Sequence, residues 1–187
     1  MAETSKSKPR REANGFFDKY VKGKVIDIGV GRIDTHDGAD ALTDWCDTWD
    51  KDNGDAHYMK GVKDETYDLV YNSHLLEHLE NPCLAISHWF RITKPGGYLI
   101  MAVPHRDLYE RKKILPSKWN LDHKYFILDD WSEPPNTFSF RHLIEQGLRL
   151  EKYEIVSIEV NNTCTNLSDP EAHGDGEYQI EAIIKKL

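Results

Sequence analysis

The stretch KVIDIGVG, Lys24 to Gly31, decides the reading of this chain. Val25, Ile26 and Ile28 make a short apolar, β-branched run, the pattern of a strand buried on both faces, and Gly29 stops it. Two glycines directly after a strand, Gly29 and Gly31, let the backbone bend sharply and approach a ligand closely. Asp27 interrupts the apolar run. Either it helps place a cationic ligand, directly or through water, or it braces the glycine loop by accepting backbone N–H bonds.

Outward from this stretch the pattern alternates between strand and helix. Weaker strands are predicted at Ala39 to Asp44 and at Ala56 to Met59, and a nearly continuously apolar one at Tyr67 to Tyr71. Asn81 and Pro82 read as the N-cap and first position of a helix. Ala85, Ile86, Trp89, Phe90 and Ile92 give that helix one apolar stripe, and Lys94-Pro95-Gly96-Gly97 ends it in a tight turn. A strand at Tyr98 to Val103 ends at Pro104. A helix at Ser139 to Gln146 follows, with Gly147 as its C-cap, then strands at Lys152 to Val160 and Glu177 to Ile184. This order predicts an α/β fold, a mostly parallel sheet covered by helices, with ligands beyond the carboxyl ends of the strands. Pro104 to Asn136, rich in aromatics and charges, is predicted as an irregular, lid-like insertion.

Bulk properties narrow the function. At 187 residues, 39% hydrophobic and 30% charged, the chain suits one globular domain, residues 15–187. The polar, basic Met1 to Asn14 is predicted to be disordered and has no signal-peptide apolar region. A net charge of -8 disfavours a nucleic-acid partner. No apolar run approaches the roughly 20 residues of a membrane helix. Cys46, Cys83 and Cys164 are far apart without a CxxC, which fits a reducing, cytoplasmic setting rather than disulfides or zinc. Oligomeric state is not legible.

The chemistry is expected at the strand ends. Asp44, after the second predicted strand, can accept two hydrogen bonds from ribose hydroxyls, with Asp40, Asp47 and Asp50 as competitors. Trp45 beside it either packs on an adenine face or belongs to the core. Asp55, before Ala56, either accepts from an adenine amino group or closes a turn after Gly54. Asn72 and Ser73 are small polar residues at a buried strand end, suited to a ligand. His74, Glu77 and His78 share one face at i, i+3 and i+4, but HxxEH without a third ligand is read as positioning or structural, and no metal is predicted.

Taken in order, VIDIGVG, the acid after strand two, the Asp55-Ala56 pair, YDLVYNSHLLEHLENP and RITKPGGYLIMAVP resemble the class I S-adenosylmethionine-dependent methyltransferases, in particular their small-molecule, type 11-like group. The resemblance covers Lys24 to Pro104, and the order of the final strands extends it to Leu187. It implies a Rossmann-like, seven-stranded, mostly parallel sheet with helices on both faces and the last strand antiparallel. It implies S-adenosyl-L-methionine as cofactor. Asp27, Gly29, Val30 and Gly31 would form its loop, Asp44 and Trp45 would meet the ribose and adenine, Asp55 and Ala56 the adenine, and Asn72 and Ser73 the methionine part. Two departures stand out. Ile33 occupies the place of the family's third glycine, and only 15 positions separate Gly29 from Asp44, so the first helix is expected to be trimmed or replaced by a loop. The same departures argue against a dinucleotide site.

The acceptor side is expected in the lid. DLYERK…PSKWNLDHK loosely resembles family members encoded near sugar and surface-polysaccharide genes, which favours a small polar acceptor such as a sugar or sugar-nucleotide hydroxyl or amine. His105 or His123 is expected to act as general base. His78, Asp107, Tyr109, Trp119 and Asn120 are substrate-side candidates. The lid aromatics would stack on sugar faces or form a satellite core. Asp107 holding a divalent metal with His105 and His123 is a lesser reading. The rivals are a methyltransferase acting on a protein and a non-catalytic module that binds the cofactor or a partner.

Overall fold

In the computed structural model, which describes residues 3–31, 40–169 and 171–187, the run after Lys24 forms β1 (Val25–Ile28), buried at all four positions. Parallel neighbours flank it: β2 (Asp47–Trp49) and β3 (Tyr67–Ser73). β4 (Thr93–Pro104) continues the parallel arrangement beside β3. β5 (Phe126–Leu128) and β6 (Thr137–Ser139) form a separate parallel pair. Of the closing strands, β7 (Tyr153–Asn162) lies at the edge and β8 (Tyr178–Lys186) runs antiparallel between β4 and β7. The main sheet thus reads β2-β1-β3-β4-β8-β7. This is the Rossmann-like α/β arrangement with its last strand antiparallel, built from six strands among the described residues rather than seven.

Helices cover both faces. α1 (Glu3–Ala13) and α2 (Phe16–Tyr20) lie on one face, where Phe16 and Tyr20 pack with Val25, Leu69, Tyr71 and Ile100. α3 (Pro82–Ile92) and α4 (Phe140–Gly147) cover the other, burying the predicted α3 stripe against Ile26, Ile28, Val70 and Leu99. Asn81 caps α3 by accepting from the Leu84 N–H, and Ser139 caps α4 by accepting from the His142 N–H. Gly147 lies inside α4, not in the expected cap. A Cβ there would stand 3.0 Å from the Cys83 carbonyl and from Ile86, so glycine serves the close approach of α3 and α4. No helix among the described residues is long and apolar enough to cross a membrane.

Four expectations need correction. The N-terminal segment expected to be disordered, Met1 to Asn14, is helical over Glu3–Ala13, with residues 1–2 outside the described residues. Its basic residues meet buried acids: Arg11 donates to Glu181 and to the Tyr71 hydroxyl, and Arg10 to Glu177 and Glu181. Residues 40–44 turn instead of forming a strand, with the Leu42 N–H donated to Asp27, and the second strand starts at Asp47. Ala56 to Met59 is also a turn, closed by the Asp55 carboxylate and carbonyl, which accept N–H bonds from His57 and from Tyr58 and Met59. The lid is not structureless, since it contributes β5 and buries Tyr125, Phe126, Ile127 and Leu128. Ile33 and the expected trimmed helix fall in 32–39, outside the described residues.

Candidate functional site

The rim begins where β1 ends. Gly29 (φ 85°) and Gly31 (φ 79°) take the left-handed backbone that favours glycine. The Gly29 N–H donates to the Trp49 carbonyl at 2.7 Å, tying the bend to the end of β2. A Cβ on Gly29 would stand 2.9 Å from Leu75, so the side chain is excluded by contact as well as by torsion. Beside this bend opens a cavity of about 310 Å³, lined by Gly29, Trp49, Asp50, Asp55, Ala56 and Leu75 among others. The Asp50 carboxylate accepts from the Lys51 N–H, and the Asp50 N–H donates to Asn53, which holds the acid in a tight turn at the strand end. Asp55 and Ala56 thus line the same cavity as Gly29, and Val30 and Gly31 follow Gly29 in the bend.

Asp44 and Trp45 stand elsewhere. They line a second cleft, of about 490 Å³, walled by α1 residues including Ser5, Lys8 and Arg11, and Trp45 is 55% exposed. The cause is the late start of the second strand: its following acid is Asp50 and its aromatic is Trp49.

Asp27 is buried, and its Oδ2 accepts from the Leu42 N–H at 2.8 Å, which ties β1 to the turn at residues 40–44 and not to the glycine loop. Burial pushes its carboxyl up to about 8, outweighing the Leu42 N–H and Arg11, which favour the anion. In the unfolded chain the group ionises near 3.8. The stability conferred by the neutral acid is therefore complete below that value and is lost as pH rises through the folded one, by up to about 1.4 kcal/mol per pH unit. Asp27→Asn, which keeps the neutral form, should hold its melting temperature from pH ~6 to ~8.5 better than the parent does. Thermal melts across that range decide it, and parallel curves would contradict the assignment.

Asn72 pairs in register with Ile28 on one side and Met101 on the other, one residue before the glycine bend. Both of its amide atoms are buried without a hydrogen-bond partner, as is the Ser73 hydroxyl. Such orphans are expensive, about 1–3 kcal/mol each, and a ligand on this rim would relieve them.

Past β3 the chain makes one tight helical turn, Leu76–His78. Glu77 in it is fully buried, and neither carboxylate oxygen has a hydrogen bond. Its Oε1 lies 3.7 Å from His74 Nδ1, 3.9 Å from His78 Nε2 and 3.8 Å from His123 Nε2. His123 comes from the lid, which is clamped here by the Lys124 N–H to the Glu77 carbonyl and by the Tyr125 hydroxyl to the Leu76 carbonyl. Asn120 shapes the delivering turn, accepting the His123 N–H on its carbonyl. His123 Nδ1 meets Glu110 at 2.6 Å, and Ser117 donates to the same carboxylate. Burial pushes Glu77 up to about 7 and His74 down to about 4. Burial, then the neighbouring His123, lowers His78.

The other lid candidates are engaged differently. His105 Nδ1 accepts the Asp107 N–H at 3.1 Å, its Nε2 is 4.0 Å from Asp129, and burial lowers its pKa. Asp107 is paired with Arg106 at the surface. Tyr109 packs on His123 and Tyr178, and Trp119 on His173 while donating to the Tyr109 carbonyl, so these two take the satellite-core place. Glu110 lies in the run YERKK, whose charges give the sequence pattern of a solvated segment, yet it is buried against His123.

A family model described as a methyltransferase domain matches residues 12–151. No curated protein is a match for the chain. Among solved structures, an S-adenosylmethionine-dependent methyltransferase of Mesorhizobium loti has a TM-score of 0.57 at 11% identity, covering 97% of this chain and 98% of that one. One from Thermotoga maritima, described as a possible histamine N-methyltransferase, has 0.52 at 19%, covering 95% and 88%. The cyclase SpnF has 0.52 at 15%, covering 94% and 80%. At these identities the likeness is one of fold, and the cyclase shows that the fold serves more than one reaction.

Proposed function

From the premise that the chain belongs to the methyltransferase domain family, we propose that it binds S-adenosylmethionine on the β1–β2–β3 rim and methylates a small polar acceptor, a sugar or sugar-nucleotide hydroxyl or amine. The observation that carries this reading is Asn72: a buried side-chain amide with no partner, in register with the residue before the glycine bend.

The residues suit the cofactor. Gly29 and Gly31 allow close backbone approach, Asp50 can accept from both ribose hydroxyls, and Asp55 and Ala56 border the place for the adenine. Asn72 and Ser73 would pair with the polar groups of the methionine part. S-adenosylmethionine, when bound, supplies a methyl group already activated on a sulfonium, so the protein needs no covalent nucleophile. What remains for the chain is to hold the acceptor in line and to receive a proton. The acceptor side is read at the Glu77, His78 and His123 cluster, whose helical turn follows directly on Leu75, a residue that lines the cavity. Of the two histidines expected as base, His123 stands in that cluster, while the Nδ1 of His105 is already taken.

Calorimetric titration with S-adenosylmethionine and S-adenosylhomocysteine tests the site, and methyl transfer to a panel of sugars and sugar nucleotides tests the acceptor class. One-to-one binding with turnover of a panel member is expected. A folded protein that binds neither ligand overturns the reading. Binding without turnover across the panel points to the non-catalytic module.

A further inference from the structure

We propose that Glu77, His78 and His123 form a binding site for a divalent first-row transition-metal ion of the zinc class. Their ligand atoms lie within 4.8 Å of one another. A tetrahedral site with bonds of about 2.0–2.2 Å needs ligand atoms about 3.4 Å apart, so a contraction of up to about 1.4 Å closes the shell. HxxEH lacks a third ligand in the sequence, and the fold supplies it from 45 positions downstream.

The hydrogen bonds around the cluster fix which ring nitrogen faces inward. His123 Nδ1 donates to Glu110, whose other oxygen accepts from Ser117 and from the Lys118 N–H. His78 Nδ1 donates to Asp122. His74 Nε2 faces the Gln179 Oε1, because the Gln179 amide nitrogen is occupied with Ser7 and Glu177. Each imidazole thus gives its proton away from the centre and turns a lone pair toward Glu77. The buried Glu77 carboxyl has no hydrogen-bond partner and is ringed by three ring nitrogens at 3.7–3.9 Å, too far to share a proton with it. A cation supplies what is missing. The carboxylate behind each of two histidines is the usual outer support of a metal-binding imidazole. Two imidazoles and one carboxylate favour zinc-like ions over magnesium or calcium, which take oxygen ligands. His74 is also held at a positive φ of 53°, a torsion that non-glycine residues adopt at a cost.

Three protein ligands leave a coordination position for an acceptor oxygen, whose proton the ion would make easier to lose; with the ion bound, His123 Nε2 is a ligand and no longer the base. That use rests on the methyl-transfer reading; the site itself does not.

The probe is Co²⁺, added to full-length protein stripped with a chelator and followed by visible absorption and by metal content after desalting. The parent should bind one equivalent, displaceable by Zn²⁺, and Zn²⁺ should raise its melting temperature. Glu77→Gln should lose the absorption band, Glu110→Gln should weaken binding about 10–100-fold, and His142→Ala on α4 should change nothing. If Glu77→Gln does not fold, the partly exposed His78→Ala takes its place with the same expectation. No saturable Co²⁺ or Zn²⁺ binding by the parent, or parent-like binding by the folded variant, overturns the site. S-adenosylmethionine titrated in the presence of chelator keeps the two ideas apart. Cofactor binding without Co²⁺ binding sinks the ion alone, and Co²⁺ binding without cofactor binding sinks the methyl-transfer reading alone.

Discussion

Asp50→Ala should weaken S-adenosylmethionine binding about 100-fold, while Asp44→Ala should leave it within about twofold. A hydrogen bond to a charged acceptor is worth about 1.5–3 kcal/mol, and 1.4 kcal/mol is a factor of ten, so losing a two-bond ribose contact comes to roughly two decades. The contrast follows from where β2 begins. Asp50 lines the cavity beside Gly29, whereas Asp44 lines the cleft under α1. Asp50 sits in a surface turn, so its removal should change stability by no more than about 0.5 kcal/mol, and affinity can be read without a folding artefact. Calorimetry on both variants is the measurement. If Asp44→Ala is the damaging change and Asp50→Ala is silent, the ribose belongs in the α1 cleft and the rim is wrongly drawn.

The misplacement of that acid shows what a sequence can carry. β1, β3 and α3 were legible because their signals are local: continuous apolar runs for the strands, and the Asn81-Pro82 start with one apolar stripe for the helix. β2 has only Asp47, Thr48 and Trp49, two of them exposed, and no pattern marks it. Its strand conformation comes from pairing with Ile26, Asp27 and Ile28 and from the Gly29 N–H to the Trp49 carbonyl, which are tertiary facts. Ala56 to Met59 has strand-like composition, but the Asx turn at Asp55 wins locally. Likewise, the HxxEH face could be seen in the sequence, but not that a lid histidine would complete it.

The N-terminal helix is the largest such case, and it carries the largest expected change in stability. Its run of Lys and Arg reads as a solvated tail because the acids that receive it lie about 170 positions away. Arg11 is fully buried. It donates to Glu181 Oε2 at 2.6 and 3.0 Å and to the Tyr71 hydroxyl at 2.8 Å. Burial alone would push Glu181 up, but Arg11 and Arg10 outweigh it and hold the carboxyl below its ordinary 4.5. Glu181→Ala leaves a buried guanidinium with one neutral partner and should cost about 3–5 kcal/mol. Arg11→Met should cost less, because Glu181 keeps Arg10 at 3.2 Å and a thioether side chain fills the space. Combining Arg11→Met with Glu181→Leu should recover more than half of the Glu181→Ala loss, since an apolar pair replaces a desolvated ionic one. Urea unfolding gives these differences as midpoint shifts at constant slope. A loss below about 1 kcal/mol for Glu181→Ala would mean that α1 is not docked on β8. The His74–Gln179–Ser7 chain, which runs from the cluster into α1, would then lose its outer end, and with it the argument that fixes the inward nitrogen of His74.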